Sequence, residues 1–301
     1  VADRADTRRS DAPAPAIAAL LGQFLDGRPL RTASLIVTVF GDAIVPRGGR
    51  LSIRALIDLM AGLGIEAGAV RTAMSRLVAD GLFVRQGGGR RPVYALSASG
   101  ERTFADAFRR VYAGERAQAG SGFRLIVLPG AGRRGFDPAG LTGAGYRAMA
   151  AGVYVAPGSA PQVDLPPGAF RLTAQADQAT ARRIAGELLG GAAAEAAYRR
   201  FCADFARPAA EALARAPAPA DAFVLRTLAI HAFRRAVISD PGLPDDLIAA
   251  DRPDLAARGL VTRIYAAVVP GSESHLEAVA RAGGEPLPPP SIDLLHRFPQ
   301  T

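Results

Sequence analysis

Apolar residues recur at helical spacing through the first third of the chain, then at strand spacing, then at helical spacing again. Leu30 to Phe40 carries Leu35, Ile36, Val39 and Phe40 on one side of a helix. Gly41 and the run Arg47-Gly48-Gly49-Arg50 break it. Ser52 is an N-cap candidate for a second helix to about Ala61, with Ile53, Leu56, Ile57 and Met60 on one face, and Gly62 and Gly64 end it. A third helix is predicted over Ala67–Ala79, its stripe being Val70, Ala73, Met74, Leu77 and Val78. Two short strands follow, Leu82–Arg85 and Pro92–Leu96, joined through the glycines of Gln86–Arg91 as a hairpin. Ala98–Arg116 then reads as a helix anchored by Phe104, Phe108, Val111 and Tyr112.

Ala119–Gly122 is rich in breakers and marks a boundary. Beyond it, Phe123–Leu128, Gly152–Ala156 and Ala169–Ala174 read as strands, and Asp137–Ala150 and Asp177–Leu189 as helices. This order fits a small α+β sandwich of ferredoxin-like type. From Ala192 the pattern is helical, over Ala192–Arg215, Ala220–Ser239 and Asp254–Val268, with Pro217 and Pro219 between the first two. The expected fold class is α+β and multidomain. Residues 1–27 form a flexible tail with a short helix at Ile17–Leu25. Residues 28–118 form a winged helix-turn-helix with a following helix, 119–190 a ferredoxin-like middle domain, 191–282 a mainly helical domain, and 283–301 an extended proline-rich tail.

The 36 basic residues are all arginine, against 28 acids. The surplus is focused: residues 28–96 hold ten arginines against Asp42, Asp58, Glu66 and Asp80. A basic segment of this kind points to a polyanion, since each neutralised phosphate releases counterions. With Val70, Met74 and Leu77 facing inward, Arg71, Thr72, Ser75 and Arg76 fall on the opposite face of the third helix. Guanidinium groups bridge guanine O6 and N7, and hydroxyls reach bases or phosphates. Arg90 and Arg91 stand beside glycines in the predicted wing, where the backbone approaches a phosphate or a minor groove closely. DNA is favoured over RNA, whose readers offer stacking aromatics, because only Phe83 and Tyr94 lie near the wing.

Other chemistries find less footing. Cys202 is the single cysteine, which excludes an internal disulfide, fits a reducing cytoplasm and, next to Phe201 and Phe205, reads as core. His231, His275 and His296 lack metal-ligand spacing, so no metal or cofactor is expected. No Gly-x-Ser-x-Gly elbow is present, and a phosphate loop ending in Gly-Lys needs a lysine the chain lacks. No run of about 20 apolar residues is present to span a membrane. Arg8-Arg9 before Ala12–Leu25 has the outline of an export signal, but Asp11, Pro13 and Pro15 interrupt it and a leader segment is the expectation. The chain is expected not to be an enzyme.

Two runs carry a family likeness. Val70-Arg71-Thr72-Ala73-Met74-Ser75-Arg76-Leu77-Val78-Ala79-Asp80-Gly81, followed by Gly89-Arg90-Arg91-Pro92-Val93-Tyr94-Ala95-Leu96, resembles the N-terminal domain of the PaaX family of bacterial repressors of phenylacetic acid catabolism. Phe223-Val224-Leu225-Arg226-Thr227-Leu228, then His231, Arg234-Arg235, Asp240-Pro241 and Leu243-Pro244, resembles its C-terminal domain, and Gly152–Pro157 its middle strand. The likeness spans roughly residues 28–275. It implies a cytoplasmic homodimer that binds an inverted-repeat operator in double-stranded DNA and is released by an aromatic acyl-CoA effector such as phenylacetyl-CoA. The chain departs from the family in having no tryptophan, with Arg252-Pro253 where one is usual, and in Ala232 at a position often acidic. Arg226, His231, Arg234 and Arg235 admit two roles. They hold an effector, or they form an internal network in which Arg234 or Arg235 pairs with Asp240 while Asp240 caps the turn at Pro241. The alternative function is an acyl-CoA-binding or acyl-CoA-processing protein whose winged helix is an interaction module.

Overall fold

Local signals set the first elements. In the computed structural model, α1 spans Pro15–Gly27, α2 Thr32–Val39, β1 Arg50–Ser52, α3 Ile53–Ala61 and α4 Ala67–Ala79. The structure describes residues 14–27, 32–87, 92–113, 122–130, 137–243, 245–248, 250–294 and 297–298. Ser52 caps α3 as expected, its Oγ accepting from the Ala55 amide at 3.2 Å. Gly64, at φ 73°, turns the chain between α3 and α4. β2 (Phe83–Gln86) and β3 (Val93–Leu96) are antiparallel, and β1 adds to the other side of β3 in the order β1-β3-β2. α5 (Ala98–Phe108) follows, then a π-helical turn to Ala113. The core beneath these elements is Leu35, Ile36, Val39, Leu56, Leu59, Met60, Val70, Met74 and Leu77, all buried, with Phe40 set edge-on to Phe83 at 4.7 Å.

The middle of the chain forms a second, four-stranded sheet of β4 (Phe123–Val127), β5 (Arg147–Ala150), β6 (Val153–Pro157) and β7 (Phe170–Ala174). It is antiparallel throughout, in the order β5-β6-β4-β7. One strand was not expected: Asp137–Ala150, predicted as a helix, divides into the short α6 (Ala139–Gly143) and β5. Gly145, at φ 90°, breaks the helix, and β5 gains the free edge of β6. α7 (Gln178–Arg183) is capped by Asp177 and continues as a π-helical turn to Leu188. Phe123, Val155, Ala181, Ala185, Leu189 and Leu243 form one core of this part, and Ile126, Leu128, Leu141, Tyr146 and Ala156 another.

Three long helices follow, α8 (Gly191–Ala214), α9 (Pro219–Ser239) and α10 (Pro253–Val279). The last runs eleven residues past its expected end at Val268, through Pro270. A proline inside a helix costs about 3 kcal/mol, and burial of Ser272, Leu276 and Ala280 beyond it offsets that cost.

Two compact units result. One gathers the described residues within Val1–Ala105, Asp204–His231 and Leu260–Thr301, the other those within Asp106–Ala203 and Ala232–Gly259. α8, α9 and α10 each give one part to each unit. α1 buries Ala16, Ile17 and Leu20, and the Ala14 amide donates to Asp221 at 2.9 Å. The proline-rich end pairs β8 (Arg281–Ala282) with β9 (Glu285–Pro286), then buries Leu287, Leu294, Arg297 and Phe298. Its side chains add apolar area and a cation to the first unit, and that burial outweighs chain entropy. Residues 1–13, the tip of the hairpin and Ala119–Ser121 lie outside the described residues.

Candidate nucleic-acid interface

The third helix presents the face its sequence predicts. Val70, Ala73, Met74 and Leu77 are buried, while Arg71, Thr72, Ser75 and Arg76 are exposed together with Gly68 and Ala69. At 100° per residue, Thr72 and Ser75 stand near the middle of that face and Arg71 and Arg76 at its two margins. The ridge is therefore short-chained in the centre and cationic at both edges. Arg85 on β2 is exposed too. Arg90 and Arg91 lie outside the described residues.

The four residues read as effector-binding or structural separate into two pairs. Arg226 and His231 belong to the first unit, Arg234 and Arg235 to the second. Arg226 is completely buried. Its Nε donates to Asp42 Oδ2 at 2.6 Å, Nη1 to Glu273 and to Ser272 Oγ, and Nη2 to the Asp42 carbonyl and the Tyr265 hydroxyl. Burial opposes its charge, but Asp42, Tyr265 and Glu273 hold its pKa well above the ordinary guanidinium value. His231 is buried with Nδ1 3.1 Å from Thr38 Oγ1. That hydroxyl also donates to the Ser34 carbonyl at 3.0 Å. Both residues therefore serve the interior of the first unit.

In the second unit Arg235 is exposed and Arg234 is partly buried, its pKa lowered by burial and by Arg235. Asp240 caps the turn as expected, accepting from the Gly242 amide at 2.8 Å, and its other oxygen accepts from the Tyr198 hydroxyl at 2.9 Å. Arg110 closes the end of α9 by donating to the Val237 and Asp240 carbonyls.

Sequence reasoning missed Asp42, Arg47, Tyr265, Glu273 and Arg297, which complete the Arg226 cluster. Arg297 donates to Asp42 Oδ1 at 2.8 Å, to the Asp42 and Gly41 carbonyls and to the Tyr265 hydroxyl. Arg47 reaches Glu273 at 2.6 Å, Glu277 at 3.1 Å and the Pro288 carbonyl. A signal was present: Asp42 is the single charge between Leu35 and Pro46, and a carboxylate inside an apolar helix demands a cationic partner. Tyr265 has its pKa pushed up to about 12, first by burial and also by Asp42, against the pull of Arg226 and Arg297. It stays a neutral donor to Asp42.

Residues 31–100 match the family described as PaaX-like protein and residues 190–278 the PaaX-like protein C-terminal domain, together more than half of the chain. The chain belongs to the PaaX-like family. It is 28% identical to the transcriptional repressor PaaX of Escherichia coli (strain K12) over 292 residues, which cover 90% of each chain. Among solved structures it is similar to the uncharacterized protein Rv0674 from Mycobacterium tuberculosis, at 23% identity and TM-score 0.45, covering 86% of this chain and 98% of that one.

Proposed function

We propose that the chain is a transcriptional repressor that binds an operator duplex through α4. The observation that carries this reading is the exposed set Arg71, Thr72, Ser75 and Arg76, lying within the segment that matches the family. On this reading residues 32–96 are a winged helix-turn-helix, with α3 and α4 as its helical pair and β2–β3 as its wing. α4 enters the major groove, and Arg90 and Arg91 meet the backbone or minor groove. The β5-β6-β4-β7 sheet has the antiparallel strand order of a ferredoxin-like domain. Its fourth strand follows a loop rather than a helix.

The repressor acts as a homodimer on an inverted repeat with half-sites about one helical turn apart. Phe170 and Leu172 support a self-association surface, being 57% and 48% exposed on the edge strand β7. An aromatic acyl-CoA such as phenylacetyl-CoA releases the operator by binding better to the DNA-free conformation. Of the four arginine and histidine candidates, Arg226 and His231 are committed inside the first unit, and the exposed Arg235 is assigned to its phosphates.

Selection of duplexes from a randomised pool tests the DNA reading. A recovered palindromic site, with affinity falling steeply with salt, is the expected result. Recovery of no sequence refutes the repressor. Addition of phenylacetyl-CoA is expected to release the selected duplex while free phenylacetate does not. Turnover of the thioester instead marks an acyl-CoA-processing protein.

A further inference from the structure

α2 is an unfinished helix. Its last turn, Phe40–Ile44, is π-helical, with the Val45 amide bonded back to the Phe40 carbonyl. Position 46 is a proline and has no N–H. The carbonyls of Gly41 and Asp42 are thereby denied the amide that would continue the helix. Two guanidinium groups from remote parts of the chain accept that role. Arg226 donates to the Asp42 carbonyl and Arg297 to both carbonyls, from 184 and 255 residues away. Cations at a helix C-terminus also suit the helix dipole. The next turn is held in the same way by Arg47, through Glu273, Glu277 and Pro288.

This hub stands between the two parts of the reading unit. α2 is the support on which α4 packs, and Leu35, Ile36 and Val39 of α2 and Val70, Met74 and Leu77 of α4 are buried. Residues 40–49 connect that support to β1 and α3. We infer that Arg226 and Arg297 are positioning residues for DNA recognition, which cap the end of α2 and so fix α4 against its support; the C-terminal segment Arg281–Phe298 is then a working part of the reader. Neither arginine touches DNA or effector in this role. The inference rests on the reading of α4 as the DNA-binding helix.

The test uses the full chain, the duplex that the wild type selects and a scrambled duplex of equal length. Arg297→Met removes the cap, and Arg297→Lys keeps the buried charge without the fork that spans two carbonyls. If loss of the cap leaves about one molecule in ten with α4 in place, affinity for the selected duplex falls about tenfold. Affinity for the scrambled duplex and the salt slope stay at wild-type values, because no phosphate contact is lost. Arg297→Lys restores part of the difference. A folded Arg297→Met with the wild-type ratio of selected to scrambled affinity overturns the inference, and so does an equal loss on both duplexes. Should Arg297→Met not fold, Arg297→Lys decides: about threefold loss of the ratio is expected, and an unchanged ratio overturns it. Failure of the wild type to select any duplex strikes the DNA reading itself, a result distinct from these.

Discussion

Replacing Asp42 by asparagine tests the buried cluster most directly. The side chain keeps its size and loses its charge. In the native unit Asp42 is 3% exposed and accepts from Arg226 at 2.6 Å, Arg297 at 2.8 Å and Tyr265 at 3.0 Å. Without it, Arg226 shares Glu273 with Arg47, and the buried Arg297 loses its ion pair. Removing one partner of a buried ion pair costs about 3–5 kcal/mol, because the desolvated charge left behind is uncompensated. The asparagine amide also brings two donors toward guanidinium donors, which gives the loss no relief. With a urea m value of about 3 kcal/mol/M, the unfolding midpoint falls by about 1–2 M. Urea titration, followed by amide exchange in α2 and α9, measures it in the unit concerned. A midpoint within about 0.3 M of wild type would show that the cluster contributes no net stability and refute the reasoning.

Three further outcomes are expected. Tyr265 has a folded pKa of about 12, above the unfolded value near 10. The stability tied to its proton is therefore complete below about pH 10 and is lost as pH rises toward 12, by roughly 3 kcal/mol; Tyr265→Phe removes this slope from the pH dependence of the unfolding midpoint. Arg71→Ala and Arg76→Ala each weaken binding to the selected duplex, by about 1–3 kcal/mol if a base contact is lost, and normal affinity in both refutes the docking of α4. Gly100→Ala destabilises by about 1–3 kcal/mol despite the better helix propensity of alanine, because its Cβ would stand 2.3 Å from the Leu82 carbonyl oxygen; thermal unfolding checks the sign.

The elements most legible in the sequence are those with one strong period. The stripe of α4, the cap at Ser52 and the hairpin around β2 and β3 follow from neighbours a few residues apart, and each is found where the pattern places it. β5 was hidden because Arg147-Ala148-Met149-Ala150 carries no strong alternation; its pairing with β6 makes it a strand. The length of α10 was hidden by Pro270, whose local cost is overridden by burial. The exposed face of α4 was readable because exposure is the complement of a core stripe. The role of Arg226 was not, since an arginine in a helix serves a ligand or an internal carboxylate with the same local pattern.

Residue order alone determined the amphipathic helices, the hairpin, the focus of positive charge near the amino end and the family likeness, because each depends on short-range spacing or on direct comparison of residues. Tertiary structure alone decided which charges are buried together and which segments belong to one unit. Asp42 meets Arg226 and Arg297 across 184 and 255 residues, and a desolvated charge is stable only where folding brings a counter-charge to it.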